Sequence, residues 1–264
     1  MSDSLLYVAA GLFVGTMVGF TGVGGGSLMT PILVLLFGQS PVVAVGTDLM
    51  FSATTKLAAT ASFGYNRRVD WRIVGRLALG SIPGAAGVIF WFWLMRRSPG
   101  LQNRVIPECL AVLLGLTAIG LLLQNLLQRL GLKVTSTWLE RAERYKLPLT
   151  VLTGLLLGVG VTLTSVGAGA LGVVALLYLY PLRLTADRLV ATDIAHALPV
   201  TFIAAVGHAT LGHINLQILA CLLLGSVPGV LIASRTVVRI PPMITRMLIA
   251  VMLAVVSERM LLRS

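Results

Sequence analysis

The sequence predicts an all-α polytopic membrane protein built from two homologous halves. Three observations carry that prediction: long apolar blocks, a scarcity of charge, and an internal repeat with glycine clusters at matching positions. Of 264 residues, 57% are hydrophobic and 11% are charged, whereas a soluble domain carries about 25% charged residues. A helix needs roughly 20 consecutive apolar residues to cross the hydrocarbon of a bilayer, and between Leu110 and Leu123 nothing is charged. Lipid offers no partners to backbone groups, so only helices or closed barrels span it. No two-residue alternation points to a barrel.

Ten apolar segments follow one another: 5–20, 27–38, 42–64, 73–95, 105–127, 147–163, 168–180, 189–209, 215–233 and 240–257. The second and seventh are short for a crossing. Each follows a glycine cluster, Gly22-Val23-Gly24-Gly25-Gly26 or Ser165-Val166-Gly167-Ala168-Gly169. These clusters correspond at an offset of 143, as do Gly11 and Gly154, Gly15 and Gly158, and Thr21 and Thr164. Further on the offset becomes 145, so that Gly46-Thr47-Asp48 meets Ala191-Thr192-Asp193 and Val69-Asp70-Trp71 meets Ile214-Asn215-Leu216. Gly80-Ser81-Ile82-Pro83-Gly84 likewise meets Gly225-Ser226-Val227-Pro228-Gly229. A colinear series of this kind marks a duplication. Residues 1–127 form the first transmembrane repeat, 128–146 a polar linker loop, and 147–264 the second repeat.

The net charge of +11 would suggest nucleic acid in a soluble protein. Here the basic residues sit in short loops between apolar blocks, where they act as topology signals, so no nucleic-acid partner is expected. If each glycine-broken pair is a hairpin entering and leaving on one face, loops 65–76, 128–146, 181–188 and 234–246 share a side holding 14 Lys or Arg. The opposite side then holds 5. If each pair is a single broken crossing, the halves run parallel and the division is 11 to 8. Positive charge concentrates on the cytoplasmic side, so the lopsided count favours inverted repeats, each a glycine-broken hairpin plus about three spanning helices, with both termini outside. Trp71 beside Arg68, and Trp91 and Trp93 before Arg96, read as interface anchors on opposite faces. Residues 5–20 lack the basic flank of a secretory leader, and a multi-pass cell-membrane location follows.

Cys109 and Cys221 lie far apart in apolar stretches without metal spacing and read as small buried hydrophobes. The glycine clusters lack the Lys-Ser/Thr that completes a phosphate-binding P-loop. No nucleophile, base and orienting group share a usable spacing, so neither an enzyme nor a cofactor is expected. The glycine breaks, in contrast, suit a transporter, since many secondary transporters place their site where interrupted helices of inverted repeats meet. Ser27 and Ala170 would each stand at the start of a half-helix, whose free N–H groups attract anions.

Ionisable groups within spanning segments are costly and usually face a cavity or a partner. Asp48, Lys56, Asp193 and His196 are such groups. Asp48 and Lys56, eight residues apart, are separated by roughly 12 Å along a helix, on one face but out of touch. Asp193 and His196, three apart, can meet on one helix face. His208, near a segment end beside His213, reads as interfacial. Asp70 and Asn215 read as loop or cap residues.

The motifs from Gly22 to Gly26 with Pro31, from Val45 to Asp48, from Val69 to Trp71 and from Gly80 to Gly84 resemble the sulfite exporter TauE/SafE family, and their second-half counterparts fit it too. The resemblance covers nearly the whole chain. It departs from many members in carrying Asp48 and Asp193 where they have serine, and in Ser165 and Ala168 replacing glycines of the second cluster. It implies a permease for a small sulfur-containing anion such as sulfite or an organosulfonate. In that light the substrate-binding candidates are Gly24, Gly25, Gly26, Ser27, Thr47, Lys56, Gly167, Ala168, Gly169 and Thr192. Asp48, Asp193 and His196 are candidates for coupling to a proton or cation. Membrane lipid surrounds the chain, and the pattern is compatible with an oligomer. An anion channel and a membrane-embedded accessory subunit without transport are the competing functions. On this reading Gly25→Leu impairs transport far more than Gly80→Leu.

Overall fold

The structure, a computed structural model of the chain, describes residues 2–21, 26–65, 68–95, 108, 110–120, 122–123, 136–166, 171–180, 183–235 and 242–262. All regular structure among these is helical. The first half contains α1 (Ser2–Thr21), α2 (Gly26–Leu35), α3 (Pro41–Tyr65) and α4 (Trp71–Met95), followed by α5 (Leu110–Gly120). The second half contains α6 (Ser136–Thr164), α7 (Leu171–Leu179), α8 (Ala186–Thr210), α9 (Leu216–Arg235) and α10 (Pro242–Leu261). Helix α6 begins ten residues before the linker's expected end, so the second part of residues 128–146 is helical. Three stretches among the described residues are long and apolar enough to cross a membrane: Trp71–Met95, Tyr145–Thr164 and Arg188–Thr210. Leu5, Leu79, Phe90, Leu156, Phe202, Leu224 and Val251 are among many large apolar side chains left exposed. Water would penalise that surface, whereas lipid tails accept it.

Both short helices turn back on their predecessors. Tyr7, near the start of α1, stacks on Phe37 just beyond α2, with ring centroids 4.3 Å apart, and its hydroxyl accepts from Gln39 Nε2 at 3.3 Å. In the second half Tyr180, just beyond α7, shares a 2.9 Å hydroxyl hydrogen bond with Thr150 of α6, and Lys146 Nζ sits 5.2 Å from its ring centroid. Tyr7 and Thr150 are repeat mates, as are Phe37 and Tyr180. The same closure is thus made twice with different side chains.

The halves are packed into each other by small residues. A Cβ on Gly11 or Gly15 of α1 would strike the Leu222 or Ser226 carbonyl of α9. The mates Gly154 and Gly158 of α6 stand against the Leu77 and Ser81 carbonyls of α4 in the same way. Reciprocally, Gly225 abuts Val8, and Gly80 abuts Val151. Both pairs of helices run parallel, because partners advance together along each. Close backbone approach through small residues is how helices associate in lipid, where burial of apolar surface supplies no drive. Gly80→Leu would therefore disrupt the packing itself, since no leucine fits between two backbones.

At the centre α3 and α8, themselves repeat mates, cross antiparallel. Gly46 backs onto the His213 carbonyl and the His208 side chain, while Lys56, ten residues later, lies within electrostatic reach of Asp193. The main apolar core draws on both halves, with Met29, Leu49, Phe51, Phe92, Leu114, Val200, Leu222 and Leu253 fully buried.

Candidate functional site

The polar residues of α3 and α8 converge where the core of the two halves meets. Asp48, Lys56, Asp193 and His196 are each at most 3% exposed. Burying such groups is tolerable only with partners or compensating charge, and the partners come from both repeats. Asp48 Oδ2 accepts from the Thr30 backbone N–H at 3.1 Å and from the Thr30 hydroxyl at 2.6 Å. The carboxylate therefore clamps the second turn of α2 to α3. Its other oxygen, Oδ1, is buried without a hydrogen-bond partner.

Lys56 lies two turns along α3 and donates to Ser52 Oγ at 2.6 Å. Its ammonium acts electrostatically on Asp48, on Asp193 and on His196. The sequence placed Asp48 and Lys56 on one face out of touch, and that is how they stand: coupled through space, with Ser52 taking the proton donor. His196 does not hydrogen bond to Asp193. Its Nε2 pairs with Ser81 Oγ of α4 at 2.9 Å, and its Nδ1 has no hydrogen-bond partner. The Asp193 carboxylate packs directly on Gly172 of α7, leaving no room for a side chain there.

Thr47 and Thr192 brace the halves against each other. The Thr47 hydroxyl accepts from the Asn215 backbone N–H at 3.1 Å, and the Thr192 hydroxyl accepts from the Asp70 N–H at 3.1 Å. Each thus occupies an N–H at the start of a helix in the opposite repeat. Asp70 and Asn215 are caps, as expected. Asp70 Oδ1 accepts from the N–H groups of Arg72 and Ile73, and Asn215 Oδ1 from that of Ile218. Asp70 Oδ2 also holds Arg183 Nε at 2.9 Å.

The end of α6 supplies the second-half wall. Ser165 adopts a left-handed backbone with φ of 58°, a conformation costing about 1–3 kcal/mol for a residue with a side chain. Its first-half mate is Gly22, for which that conformation is free. The Thr164 hydroxyl accepts from the Val166 N–H at 3.1 Å and so ties off the break. The Ser165 hydroxyl is buried and interacts with the Asp48 carboxylate. Of the candidates named from sequence, Gly24, Gly25, Gly167, Ala168 and Gly169 lie outside the described residues, as does the Ser27 side chain. Gly26 opens α2.

His208, in the last turn of α8, is buried at 1% exposure. Its Nε2 donates to the Thr162 carbonyl at 3.1 Å, and its Nδ1 lies 3.3 Å from His213 Nδ1. With Nε2 bound to a carbonyl, Nε2 carries the proton in the neutral ring and His213 must donate between the two. Cys221 is half-buried with a free thiol, and Cys109 lies outside the described residues. Sequence reasoning missed Thr30, Ser52 and Ser81 as partners. Small hydroxyl residues are abundant in this chain, and only the packing says which of them meet a charge.

The family model described as "Sulfite exporter TauE/SafE" matches residues 7–260. The chain is 39% identical over 240 residues to the "Probable membrane transporter protein YjnA" of Bacillus subtilis (strain 168), covering 90% of this chain and 92% of that protein. A second B. subtilis protein, "Probable membrane transporter protein YunE", is 35% identical over 85 residues, 32% of this chain and 28% of its own length. A "Probable membrane transporter protein" of Xylella fastidiosa (strain 9a5c) is 32% identical over 97 residues, 37% of each chain. No solved structure matches the chain. With the family match spanning both repeats and a relative aligned along nearly its whole length, the chain belongs to the TauE/SafE sulfite exporter family of membrane transporters.

Proposed function

We propose that the protein is a secondary transporter exporting a small sulfur-containing anion, sulfite or an organosulfonate, by alternating access between two inverted repeats. The observation carrying this reading is the buried Lys56 ammonium on α3, within electrostatic reach of both Asp48 and Asp193. A structural ion pair needs one carboxylate, whereas this cluster has two. With both ionised and His196 neutral, the set bears one net negative charge in a medium that penalises it. An added proton or cation balances that charge and frees Lys56 to attract an anion, which makes cation-coupled anion movement the natural chemistry of the site.

The antiparallel crossing of the repeat mates α3 and α8 supports inversion, as do the two hairpins that return each short helix to the face it entered from. Thr47 and Thr192 act as hinges in this scheme, holding each repeat's helix ends on the other while the hairpins α1–α2 and α6–α7 rock. The backbone of 24–27 and 167–169 contributes N–H groups to the anion.

Purified protein in liposomes should accumulate sulfite or an organosulfonate against its gradient when a cation gradient is imposed. Flux that only dissipates the anion gradient would make it a channel, and no flux across a panel of sulfite, sulfate, thiosulfate and organosulfonates would make it an accessory subunit. Asp193→Asn should flatten the pH profile of flux while anion binding at low pH survives. An unchanged profile would make Asp193 structural.

A further inference from the structure

We propose that the groove between α4 and α6 binds a phospholipid with an anionic headgroup, its acyl chain lying in the groove and its phosphate held at the end where α4 begins. The occupant belongs to the surrounding membrane and is not cargo.

The groove has a volume of about 470 Å³ and is walled by Leu79, Gly80 and Pro83 of α4 and by Pro148, Leu152 and Leu155 of α6. Sites that take small ligands have volumes of about 300–1,000 Å³. No lining side chain is polar, so the groove suits an acyl chain and would strip a charged group of its partners.

Charge selects the headgroup. Arg72, Arg76, Gly80 and Pro83 recur every three or four residues and share one face of α4, so two cations stand on the stripe that continues into the groove. On α6, Arg144 and Lys146 precede Pro148 and outnumber Glu143. The buried Tyr180 brings cations of both helices to one level: Arg76 Nη1 lies 3.5 Å from its hydroxyl, and Lys146 Nζ lies 5.2 Å from its ring centroid. That hydroxyl engages one of the five N–H donors of Arg76, and the guanidinium keeps donors for a phosphate. Basic pockets between spanning helices take anionic headgroups in this way.

Depth agrees with charge. Arg72 and Pro83 are eleven residues apart, about 16 Å of helix, close to the roughly 15 Å of hydrocarbon in one leaflet. Trp71, 58% exposed, marks the headgroup level at that end. The repeat supplies an internal comparison. Gly225 abuts Val8 and Gly229 abuts Leu12, as Gly80 abuts Val151 and Gly84 abuts Leu155. The backbone seam of α1 and α9 is therefore alike, but the mates of Arg72, Arg76 and Lys146 are Gln217, Cys221 and Asp3. Only the α4–α6 seam carries the cations.

The test is thermal unfolding of the purified full chain in detergent, titrated with dioleoyl phosphatidylglycerol or dioleoyl phosphatidylcholine, with native mass spectrometry to detect retained lipid. Phosphatidylglycerol should raise the unfolding midpoint saturably and stay bound, and phosphatidylcholine should do neither. Leu152→Trp, at a side chain 51% exposed, fills the groove, keeps every cation, and should abolish saturable binding. Leu79→Trp, at a side chain 65% exposed, repeats this from the other wall should the first variant prove unstable without lipid. Arg72→Gln combined with Arg76→Gln should weaken phosphatidylglycerol binding about tenfold or more, as expected for losing two basic contacts to anionic lipid. Leu224→Trp, at the mate of Leu79, should leave it unchanged. Undiminished binding in the groove-filling variants overturns the site and leaves a diffuse attraction of basic residues for anionic lipid. Equal shifts with both lipids overturn it as well. So does a dimer that Leu152→Trp splits with or without lipid, which would make a second copy the occupant.

Discussion

The two repeats keep the same scaffold and carry different chemistry. Glycines of α1 meet α9 as glycines of α6 meet α4, residue for residue, and the hydroxyls of Thr47 and Thr192 hold matching backbone N–H groups. The polar centre is unequal. Asp48 is clamped by the Thr30 hydroxyl, whereas Val173 stands at the matching place below Asp193. Lys56 has Thr201 as its mate, and Ser165 has Gly22. At the helix starts, Asp70 binds Arg183 while its mate Asn215 has no charge to offer. Backbone-to-backbone packing tolerates almost no substitution, because nothing can move aside, so a duplicated fold preserves it in both copies. Side chains lining a polar interior face mainly other side chains, and they are freer to diverge.

The largest effect should come from breaking what the halves share. Gly80→Leu and its mate Gly225→Leu should each cost about 3 kcal/mol or more, because overpacking against backbone finds no relief, whereas Gly87→Leu, with open space around it, should be near neutral. Unfolding midpoints and monodispersity in detergent measure this. Tolerance of one mate but not the other would end the claim of an equal scaffold.

Next in size is the charge that only the first half carries. Lys56→Gln should weaken anion binding about tenfold or more, as expected for losing a charge-assisted contact worth about 1.5–3 kcal/mol. Thr201→Val, at the mate, should leave anion affinity alone. Equal losses at both positions, by titration of the purified protein, would show that the repeats contribute symmetrically.

A smaller effect should follow from making the aspartates alike. Thr30→Val removes the hydroxyl from Asp48 and copies the second half, and it should lower stability by about 1–2 kcal/mol, the range for a hydrogen bond to a buried polar group. Ser52→Val, acting on Lys56 alone, provides the control. If Thr30→Val leaves the unfolding midpoint unmoved, the clamp on Asp48 is not what distinguishes the halves.

The smallest effect belongs at the rim. Asp70→Asn copies Asn215, keeps the cap and loses the pair with Arg183, whose side chain is 42% exposed. Partly exposed pairs contribute about 0–1 kcal/mol, so the midpoint should shift slightly and the shift should vanish at high salt. A large loss that persists in salt would mean that Asp70 is needed as an ion and not as a cap.

Legibility followed the physics of each feature. Hydrophobic blocks, the glycine breaks and the repeat are written in local sequence, since lipid imposes span length and scarcity of charge on every segment. The helix caps Asp70 and Asn215 were readable for the same reason, because a cap binds its own next turn. The packing role of Gly80 was not readable: its partner Val151 lies 71 positions away, and no periodicity within α4 announces a neighbour from the other repeat. The surroundings of His208 were unreadable for a similar reason, because Thr162, Phe92 and His213 reach it from other segments.

By itself, the sequence determined the all-helical membrane class and the family, because these depend on composition and on the order of motifs along one chain. Only the tertiary structure decided which hydroxyl meets which charge. Asp48 takes Thr30 from its own repeat and faces Ser165 from the other, and Thr47 and Thr192 reach across to brace the opposite half instead of standing alone on their helices. Those pairings join residues 18 to 168 positions apart. They depend on how α3 and α8 cross and on how closely the glycines let their neighbours approach, which is set by the packing of all the helices together and by no single segment.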